Sequence, residues 1–151
     1  MDTAPIALPT STVRRLPHPA LVVATVGYTA LIGVITLSNV ESGSALRASS
    51  TWILRMLAQL PLGLSAEKWE FALNIAMFVP LGVLLVLIFG ARFFWVALVI
   101  ALALTFSIEG LQQFIPSRVP DPRDLLANGL GGMLGTLFGV ALLADLRGSG
   151  E

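Results

Sequence analysis

Four long apolar runs, separated by shorter polar stretches, dominate the pattern of hydrophobic and polar positions along the chain. The runs are residues 20–38, 71–90, 94–115 and 125–143. Each run holds about 20 predominantly apolar residues, the length that an α-helix needs to cross the hydrocarbon core of a bilayer. The pattern therefore predicts an all-α, polytopic membrane protein with four transmembrane helices.

The composition of the chain also indicates a protein that resides in a lipid bilayer. Hydrophobic residues occupy 56% of the 151 positions and charged residues only 12%, too few charges to solvate a soluble domain. The net charge is zero, so the chain has no electrostatic footprint for nucleic acid. There are no cysteines, and the single histidine, His18, lies between two prolines. We therefore expect no metal site and no cofactor, and the oligomeric state stays open.

The polar ends of the chain define the predicted domain limits. Residues 1–19 are rich in Pro, Ser and Thr, and they end shortly after Arg14 and Arg15. We expect a mobile tail whose arginines lie near phosphate headgroups. Residues 20–144 form the predicted transmembrane domain, and 145–151 a polar C-terminal tail. A cleaved signal peptide is the alternative for the first run, but that run is long and no convincing cleavage site follows it.

The longest connection and the second run each carry a local signal. Within residues 46–60 a polar residue recurs at every fourth position, which predicts an interfacial amphipathic helix, with an ordinary connector as the alternative. Ser65 is a plausible capping residue for the second helix. Pro80 lies in the middle of that helix, removes one backbone hydrogen bond and predicts a kink.

Three polar residues interrupt the apolar runs at similar depth. From the rise of an α-helix, Asn74 lies roughly 7 Å from Trp69, Glu109 about 9 Å from Ile115 and Asn128 about 6 Å from Asp124. In a four-helix chain these three ends lie on one side of the membrane. Ionised and amide groups are costly in hydrocarbon unless they are paired or face water. We therefore predict one shallow polar layer, to which Gln112 adds an amide on the face of Glu109.

A charged stretch connects the third and fourth runs and is predicted to cover the polar layer. Its prolines favour an extended, helix-free loop. The candidate binding residues in this lid are Arg118, Asp121 and Asp124. The alternative is purely structural: the layer residues satisfy one another between helices, and the loop charges form weak surface ion pairs.

Glycines at four-residue spacing mark one face of the fourth run. Such a stripe allows close approach of another helix backbone and is predicted to be structural. We expect it to pack against the small residues of the third run, which would bring Asn128 beside Glu109. The stripe consists of Gly131, Gly135 and Gly139, and the expected partners are Ala97, Ala101 and Thr105.

These polar and glycine positions resemble those of the VanZ-like family of small bacterial membrane proteins. The matching positions lie in three blocks between residues 74 and 139. The first block is Asn74, Phe78, Pro80 and Gly82; the second is Ser107, Glu109 and Gln112; the third is Arg118, Asp121, Asp124, Asn128, Gly131, Gly132 and Gly135. The resemblance implies a protein of the bacterial envelope without a settled biochemical activity, whose founding member is associated with teicoplanin resistance.

Two functions are compatible with these residues. The first is binding or modulation of a cell-wall precursor or glycopeptide antibiotic at the polar layer, with the lipid bilayer as the other partner. The second is an intramembrane enzyme for a lipid-linked substrate, with Glu109 or Asp124 as acid or base; the chain offers no evident nucleophile. Whether the protein is an enzyme stays open at this point.

The basic residues give a weak signal for orientation. Arg14 and Arg15 form a compact pair before the first run, which favours a cytoplasmic N-terminus. The other side of the membrane also carries basic residues, so the count alone does not decide. We predict a cytoplasmic-membrane protein with both termini in the cytoplasm and the polar layer near the extracytoplasmic interface.

Overall fold

A computed structural model describes residues 18–37, 56, 59, 63–115 and 121–149 of the chain, and its regular structure over these residues is helical. The main helices are α1 (His18–Leu37), α2 (Ala66–Phe89), α3 (Phe94–Gln112) and α4 (Pro122–Gly148), with a 3₁₀ turn at Ala91–Phe93 between α2 and α3. All four are long and apolar enough to cross a membrane. The predicted all-α fold with four transmembrane helices is confirmed. The predicted interfacial helix over 46–60 lies outside the described residues, apart from Met56 and Gln59.

Helix α2 begins five residues earlier than the apolar run that predicted it. Ser65 precedes the helix with extended backbone angles (φ −69°, ψ 160°), but its hydroxyl makes no capping hydrogen bond. Its carbonyl instead accepts from the backbone N–H groups of Lys68 and Trp69, at 3.0 and 3.1 Å. The helix continues through Pro80 to Phe89 as a single element.

Helix α4 begins at Pro122, so the expectation that this proline belongs to an extended loop was wrong. Proline at the first helical position has the required φ and lacks only an N–H that would have no partner there. The carboxylate of Asp121 caps the helix by accepting from the N–H of Arg123 at 2.9 Å. At its other end α4 extends to Gly148, so Asp145 and Arg147 of the polar tail are helical.

The most extensive helix contact joins α2 and α4. Glycines of α4 lie directly on the backbone of α2: the pairs are Gly131 with Ile75, Gly135 with Val79 and Gly139 with Val83. The residue numbers of both helices increase together along this contact, so the two helices run parallel. On α2, Gly82 fits against the backbone of α4 near Gly132 and Gly135. Backbones can approach this closely only where side chains are missing.

The expectation that the glycine stripe faces α3 was therefore wrong. The stripe faces α2, whereas Ala101 of α3 packs against Gly132, the neighbour of a stripe residue. Because α4 has glycines on two adjacent faces, it presents one face to each partner. The spacing of the stripe identified a close contact but could not identify which helix makes it.

Helix α1 packs on α2 and α3. The hydroxyl of Tyr28 donates to the carbonyl of Met77 at 2.8 Å, which fastens the middle of α1 to α2. Ile32 is fully buried in a core that includes Phe78 and Val86 of α2. The four helices therefore share one core, with its tightest contact between α2 and α4.

We expect Gly135→Ala to destabilise the protein by about 1–3 kcal/mol, since overpacking a tight contact carries a cost of that order. A methyl group at position 135 would overlap the carbonyl of Val79. The matched control is Gly110→Ala, because nothing lies within 4 Å of a methyl group at that position. Thermal unfolding in detergent measures both variants. A loss of stability in the control equal to that in Gly135→Ala would contradict the assigned contact.

Candidate functional site

A hydrogen bond between α2 and α4 forms the centre of the polar layer. The side-chain amide of Asn74 donates to Oδ1 of Asp124 at 2.7 Å, and both residues are half-buried. Asp124 was expected in a lid above the layer. Because α4 begins at Pro122, Asp124 instead occupies the first helical turn, where its carboxylate contacts α2. It is thus a member of the layer itself.

A second polar contact connects α3 to α1. Gln112 is only 5% exposed, and its amide donates to the backbone carbonyl of Thr36 at 3.0 Å. That carbonyl lies in the last turn of α1, where carbonyl groups have no partner within the helix. The sequence indicated Gln112 but gave no signal for Thr36, because any carbonyl at a helix end could have accepted this bond. Through this contact α1 also takes part in the layer.

The packing of α3 on α4 fixes which polar residues lie at the same height. A methyl group at Gly132 would lie 2.9 Å from Cβ of Ala101, and the two helices run antiparallel. One turn toward the layer, Thr105 therefore lies level with Asn128. A further turn brings Glu109 level with Asp124. The prediction that Asn128 lies beside Glu109 was therefore wrong by one helical turn.

Burial divides these residues into a deep and a shallow set. Thr105 is 0% and Asn128 3% exposed, whereas Glu109 is half-buried with one carboxyl oxygen fully covered. The sequence placed Thr105 among the packing residues of α3, because it continues the row of small residues formed by Ala97 and Ala101. Its height opposite Asn128 depends on how the helices pack, which the sequence pattern did not reveal.

The remaining charged residues near the layer are solvent-exposed. Asp121 caps α4, and Arg123 forms an ion pair with Glu67 of α2 at 3.3 Å. Both partners of this pair are largely exposed, so its contribution to stability is small. Arg118, the remaining predicted binding residue, lies outside the described residues.

An open cleft of about 390 Å³ adjoins the starts of α2 and α4. It is lined by Ser65, Glu67, Lys68, Phe71 and Arg123. Side chains of both charge signs therefore surround one concave surface, on the same side as the Asn74–Asp124 bond. Neither Glu67 nor Lys68 was among the binding residues that the sequence indicated. Their proximity to Arg123 follows from the parallel packing of α2 and α4.

The arrangement of acidic side chains bears on which ligands the layer could hold. In the described part of the chain, no group of three or more His, Cys, Asp or Glu residues is arranged to hold a metal ion. The layer contains the amides of Asn74 and Gln112 and the carboxylates of Glu109 and Asp124. The cleft beside it carries side chains of both charge signs. Such groups are suited to hydrogen bonding and charge pairing with a polar ligand.

Together, the fold and the polar layer define a multi-pass membrane protein of four helices. A model of the VanZ/LLP1 family matches residues 20–143, and the chain belongs to this family. The match includes α1 and the connection to α2, whereas the resemblance in the sequence rested on residues 74 to 139. No curated protein and no solved structure matches the chain.

We expect Asn74→Ala to destabilise the protein by about 1–3 kcal/mol, the usual cost of depriving a buried polar group of a partner. The matched control is Arg123→Ala, which removes the exposed ion pair to Glu67 at the same end of the same two helices. That control should cost less than about 1 kcal/mol. Thermal unfolding in detergent compares the two. If Asn74→Ala left the thermal stability unchanged, the bond between Asn74 and Asp124 would contribute nothing to helix association.

Proposed function

We propose that the protein is a non-catalytic component of the bacterial envelope that binds a cell-wall precursor or a glycopeptide antibiotic at the polar layer. One observation supports this proposal: polar side chains from three helices and a backbone carbonyl of α1 lie near one end of the bundle, beside a cleft of mixed charge. The side chains are Asn74, Gln112 and Asp124, and the carbonyl is that of Thr36. Packing alone does not require polar side chains at this end of three helices, because apolar side chains would fill the same space without a desolvation cost.

The chemistry of the layer suits a zwitterionic or peptide-bearing ligand. The carboxylates of Glu109 and Asp124 can accept hydrogen bonds from an ammonium group or from peptide N–H groups. Lys68 and Arg123, at the cleft, can bind a carboxylate or phosphate, with Arg123 capable of bidentate pairing. Cell-wall precursors and glycopeptides both present peptide groups together with charges. A role in resistance of the teicoplanin type is part of this proposal, and membership of the family supports it.

Loss of resistance is the expected result when layer residues are removed. A susceptible host that expresses the protein should show a lower inhibitory concentration of teicoplanin with each of three variants, approaching that of the empty vector. The variants are Glu109→Ala, Arg118→Ala and Asn128→Ala. Each removes a hydrogen-bonding or charged group from the predicted binding surface, and the inhibitory concentration is the measurement.

The control for this experiment is Arg92→Ala. Arg92 is exposed in the turn between α2 and α3, at the opposite end of the bundle from the layer. The Arg92→Ala variant should retain full resistance. Unchanged resistance in all three layer variants, at normal membrane expression, would exclude the layer as the binding surface.

An intramembrane enzyme is the second candidate, and one observation favours it. The contact of Ala101 with Gly132 implies similar heights for Glu109 and Asp124 on adjacent helices, which supports acid–base catalysis on a lipid-linked substrate. Turnover of a lipid-linked precursor by the purified protein, with or without Mg²⁺, would replace the binding proposal with this one.

The proposed orientation places both termini in the cytoplasm and the layer near the extracytoplasmic interface of the cytoplasmic membrane. Alkaline phosphatase is active only outside the cytoplasm, so fusions after Arg92 and at the C-terminus should be inactive. A fusion after Ser117, between α3 and α4, should be active. Phosphatase activity of the C-terminal fusion would reverse the orientation and move the layer to the cytoplasmic interface.

A further inference from the structure

Two buried polar atoms between α3 and α4 have no hydrogen-bond partner. They are Oγ1 of Thr105 and Oδ1 of Asn128. Both side chains are more than nine-tenths buried, with exposed fractions of 0% and 3%. Buried polar groups are rarely left unpaired, and in a membrane no bulk solvent reaches them. Something other than the chain's own side chains is therefore needed to satisfy them.

The two atoms lie at the same height in the membrane. The contact of Ala101 with Gly132 fixes the antiparallel register, in which Thr105 is level with Asn128. The rise of a helix gives a consistent depth: Thr105 is about 10 Å from the end of α3, and Asn128 is about 9 Å from the start of α4. Glu109, one turn nearer the interface on α3, presents a buried oxygen on the same face. The polar face thus continues from the Asn74–Asp124 layer to Thr105.

Thr105 lacks the local hydrogen bond that three other threonines in the described helices make. Thr25, Thr36 and Thr136 each donate their hydroxyl to the carbonyl four residues earlier, at 2.8 Å in every case. The same acceptor exists for Thr105, the carbonyl of Ala101, yet this bond is not formed. Back-bonding is the local way to satisfy a threonine in a helix. A hydroxyl that does not use it is available to a partner outside its own helix.

We infer that a water molecule entering from the membrane interface is bound between Thr105 and Asn128. A buried water needs two to four polar partners. The hydroxyl of Thr105 can donate or accept, and the amide oxygen of Asn128 accepts, so both can bind the same water. This site takes a neutral hydrogen-bond donor and lies one helical turn deeper than the Asn74–Asp124 layer. It does not depend on whether the layer binds a glycopeptide, and its test uses no antibiotic.

Water-edited solid-state NMR of the unmodified protein in lipid tests this inference. Magnetisation transferred from water should reach the Thr105 side chain several times faster than the Thr136 side chain. Thr136 is the matched control, because it is 2% exposed and its hydroxyl is already bonded to Gly132. Equal transfer to the two threonines would overturn the inference. Equal transfer is the result expected if Thr105 and Asn128 bond directly to each other without water.

Discussion

The close parallel contact between α2 and α4 is the constraint on which the rest of the structure depends. In a chain that crosses the membrane back and forth, neighbouring helices are antiparallel, and α2 and α4 are separated by a complete crossing. Glycines on both helices nevertheless bring these two backbones together over several turns. The starts of both helices are therefore held at one side. Their first-turn charges, Glu67 and Asp124, lie where the positive ends of two helix dipoles favour negative groups.

The polar layer is a consequence of this contact. Asn74 can reach Asp124 only because α2 and α4 begin at similar heights with no bulky side chains between them. Helix α3 then packs on the second glycine face of α4 and contributes Glu109 and Thr105. Helix α1 is attached through Tyr28 and through the bond from Gln112. The contribution of α1 to the layer is a backbone group, the carbonyl of Thr36.

Much of the architecture could be predicted from the sequence, because hydrophobic run length decides membrane helices almost directly. Helix rise also placed Asn74, Glu109 and Asn128 near the same end of the bundle, although Asn128 lies one turn deeper than Glu109. The rotation of each helix about its own axis, and the choice of which helices pack together, could not be predicted. Gly131 and Gly132 lie on adjacent faces of α4, and nothing in their spacing states that one meets Ile75 and the other Ala101. The start of α4 was misplaced for a related reason, since a proline that ends one helix equally well begins another.

The pairing of α2 with α4 also sets an order of assembly. A ribosome delivers helices to the membrane in sequence, so α2 and α3 are inserted before α4 exists. During that interval the face of α2 around Gly82 lacks its partner helix, and Asn74 lacks the carboxylate of Asp124. The layer can form only once α4 is inserted. Insertion of α4, rather than of α2 and α3, is therefore the event that creates the polar layer.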